Sequence, residues 1–316
     1  MEKRPFIVLT GPTAVGKTAL SIALAKAVNG AVISADSMQV YKHMDIGSAK
    51  IMPNEMEGVP HYLVDEFEPE EEFHVARFVE RAKECLKEIY QNGQIPIIVG
   101  GTGFYIQALL YDIDFSKQDA NTEYRRQLEE LAQEKGADYL HNLLKEVDPA
   151  SAESIHANNM KRVIRALEYY HLTGQKISEH NEIERKKESP YNFAYFVLTD
   201  ERARLYERID RRVDIMVERG LVDEVKKLKE MGYHREMVSM QGLGYKEILD
   251  YLDGKITLAE AIYIIKRETR HFAKRQLTWF RREKDVIWFD RREFHQNETE
   301  ILNEMTKILK EKGIIV

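Results

Sequence analysis

The sequence predicts an α/β protein, with a parallel sheet flanked by helices and an all-α insertion domain. Over the first hundred residues, short apolar runs rich in Val and Ile alternate with helical stretches, and a glycine-punctuated turn follows the first run. Continuous apolar strands joined by helices are typical of a parallel sheet covered on both faces. Residues 117–187 instead show helical spacing and contain no convincing strand. This change predicts a helical segment inserted into the α/β core.

Each predicted element follows from the spacing of its apolar residues. The predicted strands are residues 6–9, 31–35, 95–99, 194–199 and 286–289. The predicted helices are residues 18–28, 76–91 and most of 202–282, the last with breaks near Gly232 and between Gly242 and Gly244. These elements divide the chain into a core domain of residues 1–116 and 188–316 and an insertion domain of residues 117–187.

Composition narrows the classes of function. Of the 316 residues, 43% are hydrophobic, which supports a sizeable core, and the net charge of −6 argues against a surface that binds nucleic acid everywhere. A local basic strip remains compatible with this charge. The single cysteine, Cys85, excludes an intrachain disulfide and a multi-cysteine metal site. Because neither a secretory leader nor an apolar run of ~18 residues is found, we expect a cytoplasmic protein with no membrane partner.

A turn after the first predicted strand matches the phosphate-binding pattern G-x-x-x-x-G-K-[ST]. Its residues are Gly11, Pro12, Thr13, Ala14, Val15, Gly16, Lys17 and Thr18. The glycines allow backbone amides to converge on one point, and the start of the following helix adds partial positive charge there. Lys17 supplies a mobile cation, and the Thr18 hydroxyl is a ligand for Mg²⁺, the expected cofactor. The turn therefore predicts a P-loop core that binds a di- or triphosphate.

The P-loop alone does not identify the phosphate compound. A nucleotide hydrolase also needs an acidic residue at the end of an apolar strand to hold Mg²⁺. None of Asp36, Asp65 and Asp290 lies in a convincing run of this kind. The loop is therefore strong support for a bound pyrophosphate group and weak support for ATP.

Further motifs closely resemble the bacterial form of the tRNA dimethylallyltransferases, also called tRNA isopentenyltransferases. The matching segments are 36–50 (DSMQVYKHMDIGSAK), 58–62 (GVPHY), 95–110 (IPIIVGGTGFYIQALL), 165–168 (RALE), 205–214 (LYERIDRRVD), 220–221 (GL), 244–246 (GYK) and 273–281 (AKRQLTWFR). They span nearly the whole chain in the family's order, which a chance match would not produce. Ile51, where the family usually has proline, is a departure that touches no proposed catalytic group.

The resemblance implies transfer of a dimethylallyl group from dimethylallyl diphosphate to N6 of adenine 37 of tRNA, the base 3′ of the anticodon. It assigns catalytic roles to Asp36, Thr102 and Lys17. Asp36 is the candidate general base, because the N6 amine is a poor nucleophile that benefits from a proton acceptor. The P-loop residues, with Arg208 and Arg212 on one face of a helix, would bind the diphosphate and neutralise it as it leaves.

The anticodon stem-loop of tRNA is the expected macromolecular partner. Between Thr257 and Lys284, eight basic and three acidic residues give a local charge of +5, which suits binding to a phosphate backbone. The residues assigned to tRNA binding are Asp36, Ser37, Met38, Gln39, Thr102, Arg125, Lys161, Arg162, Arg165, Gln241, Gly242, Leu243, Gly244, Tyr245, Lys246, Lys274, Arg275, Gln276, Thr278, Trp279 and Arg281.

Three other functions remain open from the residues alone. A small-molecule kinase would use the P-loop for ATP. A prenyltransferase acting on free AMP would share the motifs but would not need the basic helix. An RNA-binding protein without catalysis would have no use for Lys17 or Thr18. For the tRNA-modifying enzyme, a monomer is expected.

Overall fold

Strands and helices alternate along the chain. The computed structural model describes residues 3–115 and 122–316. Within them, the strands are β1 (Arg4–Thr10), β2 (Gly30–Ala35), β3 (His61–Tyr62), β4 (Ile95–Gly100), β5 (Tyr191–Thr199) and β6 (Val286–Asp290). The helices are α1 (Lys17–Val28), α2 (Val75–Gln91), α3 (Gly103–Leu110), α4 (Thr122–Lys135), α5 (Ala137–Val147), α6 (Pro149–Ser154), α7 (Met160–Thr173), α8 (Ile177–Lys186), α9 (Arg202–Glu218), α10 (Leu221–Glu230), α11 (Tyr245–Leu252), α12 (Leu258–Phe280) and α13 (Glu298–Glu311), with a short 3-10 helix at Ser239–Gln241.

The described strands form one parallel sheet in the order β3-β2-β4-β1-β5-β6. Strand β1 lies inside it, with Ile7 opposite Ile97 of β4 and Ala194 of β5. The side chains of these three residues are fully buried, as the continuous apolar runs predict for strands covered on both faces. The predicted α/β class, with a parallel sheet flanked by helices, is confirmed.

The chain divides into two compact units. The core unit comprises Met1–Leu110 and Pro190–Val316, and the helical unit comprises Tyr111–Ser189. The described part of the helical unit contains α4–α8 and no strand. The predicted start of the insertion, residue 117, lies outside the described residues, and its predicted end, residue 187, lies two residues before the end of the helical unit.

The helical unit has an apolar centre and buried polar anchors of its own. Leu140, Leu144 and Val163 are fully buried at its centre. Asp148 accepts hydrogen bonds from the backbone and hydroxyl groups of Ser151 and Ser178, so that one buried carboxylate joins α6 to α8. Burying a carboxylate is favourable only with such partners.

Strand β3 was not predicted from the sequence. It consists of two residues, His61 and Tyr62, which pair with Val32 and Ile33 of β2. Two residues are too few to show a periodic pattern, so the strand exists because the neighbouring strand offers a free edge. In the described residues, no helix is both long enough and apolar enough to cross a membrane.

Parallel pairing places the loops after all the longer strands at one edge of the sheet. The P-loop follows β1, Asp36 follows β2 and Gly101 follows β4. Asp200 follows β5 and Arg291 follows β6. In open parallel sheets, ligands bind at the carboxyl ends of the strands. This edge is therefore the place for a functional site.

Candidate active site

The P-loop turns into α1 through a backbone conformation that favours glycine. Gly16 has φ 99° and ψ 28°, and it directly precedes the first residue of α1, Lys17. The ammonium group of Lys17 donates hydrogen bonds to the carbonyl oxygens of Gly11 (3.0 Å) and Pro12 (2.8 Å). The loop thus surrounds its own lysine, with the free amides of α1 beside it.

Lys17 has an environment that disfavours its charged form. Burial lowers the pKa of Lys17 to about 7, the positive charge of Arg212 adds to the shift, and the carboxylate of Asp36 opposes it. Burial also lowers the pKa of Arg212, again opposed by Asp36. Two basic side chains and one carboxylate therefore share this part of the edge, and Lys17 is only partly charged near pH 7. An anion of high charge would complete the arrangement.

One carboxylate oxygen of Asp36 accepts hydrogen bonds within its own loop. Its Oδ1 accepts hydrogen bonds from the backbone N–H groups of Met38 (2.9 Å) and Gln39 (3.4 Å), which is a turn-capping arrangement. Its Oδ2 accepts no hydrogen bond from the residues that the structure describes. The carboxylate is therefore held in orientation by one oxygen while the other is available as a proton acceptor.

Thr102 lies next to Asp36 along this edge. Its backbone N–H donates to the carbonyl of Ala35, the residue before Asp36, over 3.2 Å. Its own carbonyl accepts from Tyr105 and Ile106 at the start of α3. The structure thus brings Thr102, Asp36 and Lys17 to the same edge.

Gln276 connects three segments of the site from within α12. Its side chain is 6% exposed. Its Oε1 accepts from the backbone N–H of Thr13 in the P-loop (2.9 Å), and its Nε2 donates to the carbonyl of Gly101 (3.0 Å). One turn further on, Trp279 packs against Gly103, where a β-carbon would come within 2.2 Å of the indole ring. Although we assigned Gln276 and Trp279 to tRNA, these contacts make them parts of the frame of the site.

The loop after β2 is anchored by a carboxylate from α10. Oε2 of Glu224 accepts from the backbone N–H groups of Asp45 (2.9 Å) and Ile46 (2.7 Å), and Oε1 accepts from that of Gly47 (3.0 Å). Oε1 also accepts from the hydroxyl of Tyr245 (2.9 Å), which itself accepts from the backbone N–H of Ser48. The buried Tyr245 therefore supports the loop after β2, and burial together with Glu224 raises its pKa well above the ordinary value.

Replacing Glu224 with Gln should loosen this loop. The amide group would set an NH₂ against backbone donors, which leaves buried groups unpaired and costs about 2 kcal/mol of unfolding free energy. Denaturant unfolding measures the loss, and any prenyl-transfer activity should fall with it. Glu230→Gln, at the exposed end of the same helix, should change neither quantity. Equal stability of the two variants would contradict the anchoring role.

The two arginines of α9 serve different parts of the edge. Arg212 is close enough to Lys17 for its charge to lower the pKa of Lys17, and the carboxylate of Asp36 acts on both cations. Arg208 lies one turn earlier and forms an ion pair with Asp200 over 3.6 Å. Its Nη2 also lies 3.5 Å from the position that a β-carbon on Gly16 would occupy. The helix face predicted from the spacing of Arg208 and Arg212 therefore faces the P-loop.

Several cations of the basic segment at α12 are engaged in ion pairs, so fewer are available to bind a ligand than the sequence suggests. Lys266 pairs with Asp214 over 2.6 Å and Arg270 pairs with Asp210, so both of these cations are directed at α9. Arg267 pairs with Glu268. Among the described residues, the exposed cations of this segment that form no ion pair are Lys274, Arg275, Arg281, Arg282 and Lys284. The exposed hydroxyl of Thr278 donates to the carbonyl of Lys274.

The loop before α11 meets the loop after β2. A β-carbon on Gly242 would approach the Met38 side chain to 2.5 Å, so these two predicted tRNA-binding residues are in contact. Gln241 is exposed, Leu243 is half-buried and Gly244 begins the turn into α11. Lys246 forms an ion pair with Glu247 over 3.7 Å. Ser37 is half-buried beside Met38.

In the helical unit, the predicted basic cluster has two kinds of members. Arg125 and Arg165 both pair with the fully buried carboxylate of Glu168, at 2.6 Å and 3.2 Å. Lys161 and Arg162 are exposed. Arg125 therefore also holds α4 to α7, and Arg165 pairs within α7. Lys161 and Arg162 face solvent.

Sequence reasoning missed three polar residues at or beside the edge. Asp200 directly follows the apolar run of β5. An acidic residue at the end of an apolar strand is the pattern expected of an Mg²⁺ ligand, but Asp200 was not among the candidates. Its buried carboxylate contacts Arg204 and Arg208. Glu224 and Arg291 carried no local signal, because their partners lie far away in the chain.

Comparisons with known proteins bear on the identity of the site. The family model for IPP transferase matches residues 39–283. A curated tRNA dimethylallyltransferase from Lachnoclostridium phytofermentans is 64% identical over 99% of each chain, and one from Acetivibrio thermocellus is 54% identical over 94% of this chain and 95% of the other.

Solved structures agree with these sequence matches. The tRNA isopentenylpyrophosphate transferase of Bacillus halodurans is 48% identical over 98% of each chain, with a TM-score of 0.74. A eukaryotic dimethylallyltransferase, solved acting on tRNA, is 34% identical over 91% of this chain and 74% of the other, with a TM-score of 0.79. The resemblance seen in the motifs is thereby confirmed, and the chain belongs to the IPP transferase family, that of the tRNA dimethylallyltransferases.

Proposed function

We propose that this protein transfers the dimethylallyl group of dimethylallyl diphosphate to N6 of the adenine at position 37 of tRNA. The observation that carries the proposal is the meeting of Asp36, Lys17 and Arg212 at one sheet edge, with a free carboxylate oxygen beside a positively charged phosphate loop. A proton acceptor and a site for a leaving anion are the two groups that this reaction needs.

In the proposed reaction, a bond forms between N6 of the adenine and the allylic carbon C1 as the bond from C1 to the diphosphate oxygen breaks. The pyrophosphate leaves with the bonding electron pair, and Asp36 accepts the N6 proton through Oδ2. Lys17, Arg212, Arg208 and the amides of the P-loop neutralise the charge that develops on the pyrophosphate. Thr102, on the adjoining loop, lies where it can position the adenine.

A divalent metal fits the same site. The Thr18 side chain is exposed at the first turn of α1, next to the place where the diphosphate would bind. Mg²⁺ commonly takes one or two protein oxygens and completes its shell with phosphate oxygens and waters, so Thr18 with the diphosphate is a sufficient donor set. When bound, Mg²⁺ would supply additional positive charge to the departing pyrophosphate.

In the core unit, we assign tRNA binding to the unpaired cations of α12 and of the turn after it, and to the loops that meet at Met38 and Gly242. In the helical unit, we assign tRNA binding to Lys161 and Arg162. The cations are exposed and free to pair with phosphates. The adenine must leave the anticodon-loop stack to reach Asp36, which costs little in a single-stranded loop. Activity in the cytoplasm as a monomer completes the proposal.

A transfer assay tests the proposal against its rivals. Purified protein, dimethylallyl diphosphate, Mg²⁺ and an unmodified anticodon stem-loop should yield N6-dimethylallyladenosine and one equivalent of pyrophosphate, with no ATP present. Parallel reactions contain AMP or ATP in place of the RNA. Faster prenylation of AMP, or turnover of ATP without prenyl transfer, would overturn the proposal in favour of the corresponding rival.

Replacing Lys274 and Arg281 with Ala should weaken binding of the stem-loop. Each lost phosphate contact removes about one unit from the slope of log K against log salt concentration, and affinity should fall roughly tenfold in dilute salt. The KM for dimethylallyl diphosphate should not change. Lys307→Ala on α13 removes a similar exposed cation and is the matched control. Equal salt slopes for all variants would contradict the assignment of this face.

A further inference from the structure

Arg291, the residue after β6, is almost completely buried and places a positive charge beside the P-loop. Its side chain is 3% exposed. Two sides of the guanidinium are held: Nε donates to Oε1 of Gln296 (3.1 Å), and Nη2 donates to Oε1 of Glu298 (3.0 Å). The third nitrogen, Nη1, is buried and has no hydrogen-bond partner. A buried donor without an acceptor is costly and requires an explanation.

The unpaired Nη1 is directed at the phosphate loop. A β-carbon on Gly16 would lie 2.9 Å from Nη1 of Arg291 and 3.5 Å from Nη2 of Arg208. Two guanidinium groups therefore converge on the residue at which the loop enters α1. Burial, and after it the repulsion between the two charges, lowers the pKa of Arg208.

The nearby carboxylates offset this pair of charges only in part. Asp200 is 3.6 Å from Arg208, too far for a hydrogen bond, and its Oδ2 has no donor within hydrogen-bond distance. Glu298 contacts Arg291 but has a 45% exposed side chain, so solvent screens its charge. The arrangement is an incomplete ion cluster that an anion beside Gly16 would complete.

We propose that Arg291 is a further diphosphate-binding residue, whose Nη1 donates a hydrogen bond to an oxygen of the diphosphate bound at the P-loop. The proposal rests on the proposed function, which places the diphosphate there. Arginine is suited to the position because its planar fork satisfies Gln296 and Glu298 with two nitrogens and keeps the third for the ligand.

The test is calorimetric titration of the protein with inorganic pyrophosphate in the presence of Mg²⁺. Arg291→Gln should weaken binding about ten- to hundredfold, the effect of losing one charge-assisted hydrogen bond. Arg291→Lys, which keeps the charge without the fork, should lie between this variant and the unaltered protein. Arg292→Gln is the matched control, because Arg292 is exposed and pairs with Asp290. Binding by Arg291→Gln at unaltered strength would overturn the proposal.

A purely structural role for Arg291 makes a different prediction. Glu298→Gln removes the ion pair that holds Arg291 but leaves its charge in place, so pyrophosphate should bind as tightly or more tightly. Weakening of binding equal to that of Arg291→Gln would overturn the ligand contact. If Arg291→Gln does not fold, the guanidinium signals of the ¹⁵N-labelled unaltered protein answer the question, with Arg291 assigned from Arg291→Lys. That signal should shift on titration with pyrophosphate, and an unmoved signal would overturn the proposal.

The same experiments separate this inference from the proposed function. If the unaltered protein binds no pyrophosphate and transfers no prenyl group, the proposed function fails. If it does both, and Arg291→Gln binds pyrophosphate equally well, only the role of Arg291 fails.

Discussion

Replacing Asp36 with Asn should reduce prenyl transfer by a factor of about 10² to 10⁴, which is the usual contribution of a general base. Asparagine keeps an oxygen at the position of Oδ1, so the hydrogen bonds from Met38 and Gln39 are retained. It loses the second carboxylate oxygen that would accept the N6 proton. Single-turnover transfer to the stem-loop measures the rate, and filter binding should show unchanged RNA affinity.

Asp36→Ala separates the two roles of this carboxylate. Alanine removes both the proton acceptor and the turn cap, so it should be as inactive as the Asn variant and somewhat less stable. An active Asn variant beside an inactive Ala variant would show that Asp36 acts only as a cap. In that case another group must accept the proton.

Replacing Lys17 with Met should weaken pyrophosphate binding about ten- to hundredfold and reduce transfer about 10²- to 10³-fold. The larger effect on the rate is expected because the negative charge on the leaving group grows in the transition state. The fold should tolerate the change, since burial already disfavours the ammonium. Lys26→Met on the same helix, where Lys26 is exposed and pairs with Glu57, is the matched control. Unaltered pyrophosphate affinity in the Lys17 variant would contradict the site.

The same lysine should make pyrophosphate binding depend on pH. Its pKa is about 7 in the unliganded protein, and a bound anion raises it, so binding takes up a proton above pH 7. Affinity contributed by Lys17 should therefore decline as pH rises through 7 and beyond, by at most about tenfold per unit. Titration in buffers of different ionisation enthalpy measures the uptake. Subtracting the Lys17→Met result removes the ionisation of pyrophosphate itself; equal uptake by both proteins would contradict the shift.

The parts of the site that were predictable from sequence depend on local chemistry. The P-loop is a contiguous pattern between a strand and a helix, and the parallel sheet follows from its apolar runs. These features suffice to bring Lys17, Asp36 and Thr102 to one edge, since the carboxyl ends of parallel strands share it. Family resemblance supplied the chemistry of the reaction, which the loop alone left open between several phosphate compounds.

The remaining features depend on contacts between distant segments. Glu224 binds the backbone of residues 45–47 from nearly 180 positions away, and no local pattern indicates such a partner. Arg270 belongs to the basic periodicity of α12, yet Asp210 of another helix takes its charge. Arg291 lies in a charged turn that looks like a solvated one, and only the folded chain buries it.

Gln276 connects α12 to the P-loop. The side-chain amide of Gln276 forms hydrogen bonds with both the N–H of Thr13 and the carbonyl of Gly101. Local opening of α12 at this point would therefore leave both backbone groups without these partners. Opening of that region of α12 therefore exposes the amide proton of Thr13 to exchange with solvent, which couples local unfolding of the two segments. Hydrogen exchange at the amide of Thr13 thus reports on the opening of α12, whose residue Gln276 lies more than 260 positions away in the sequence.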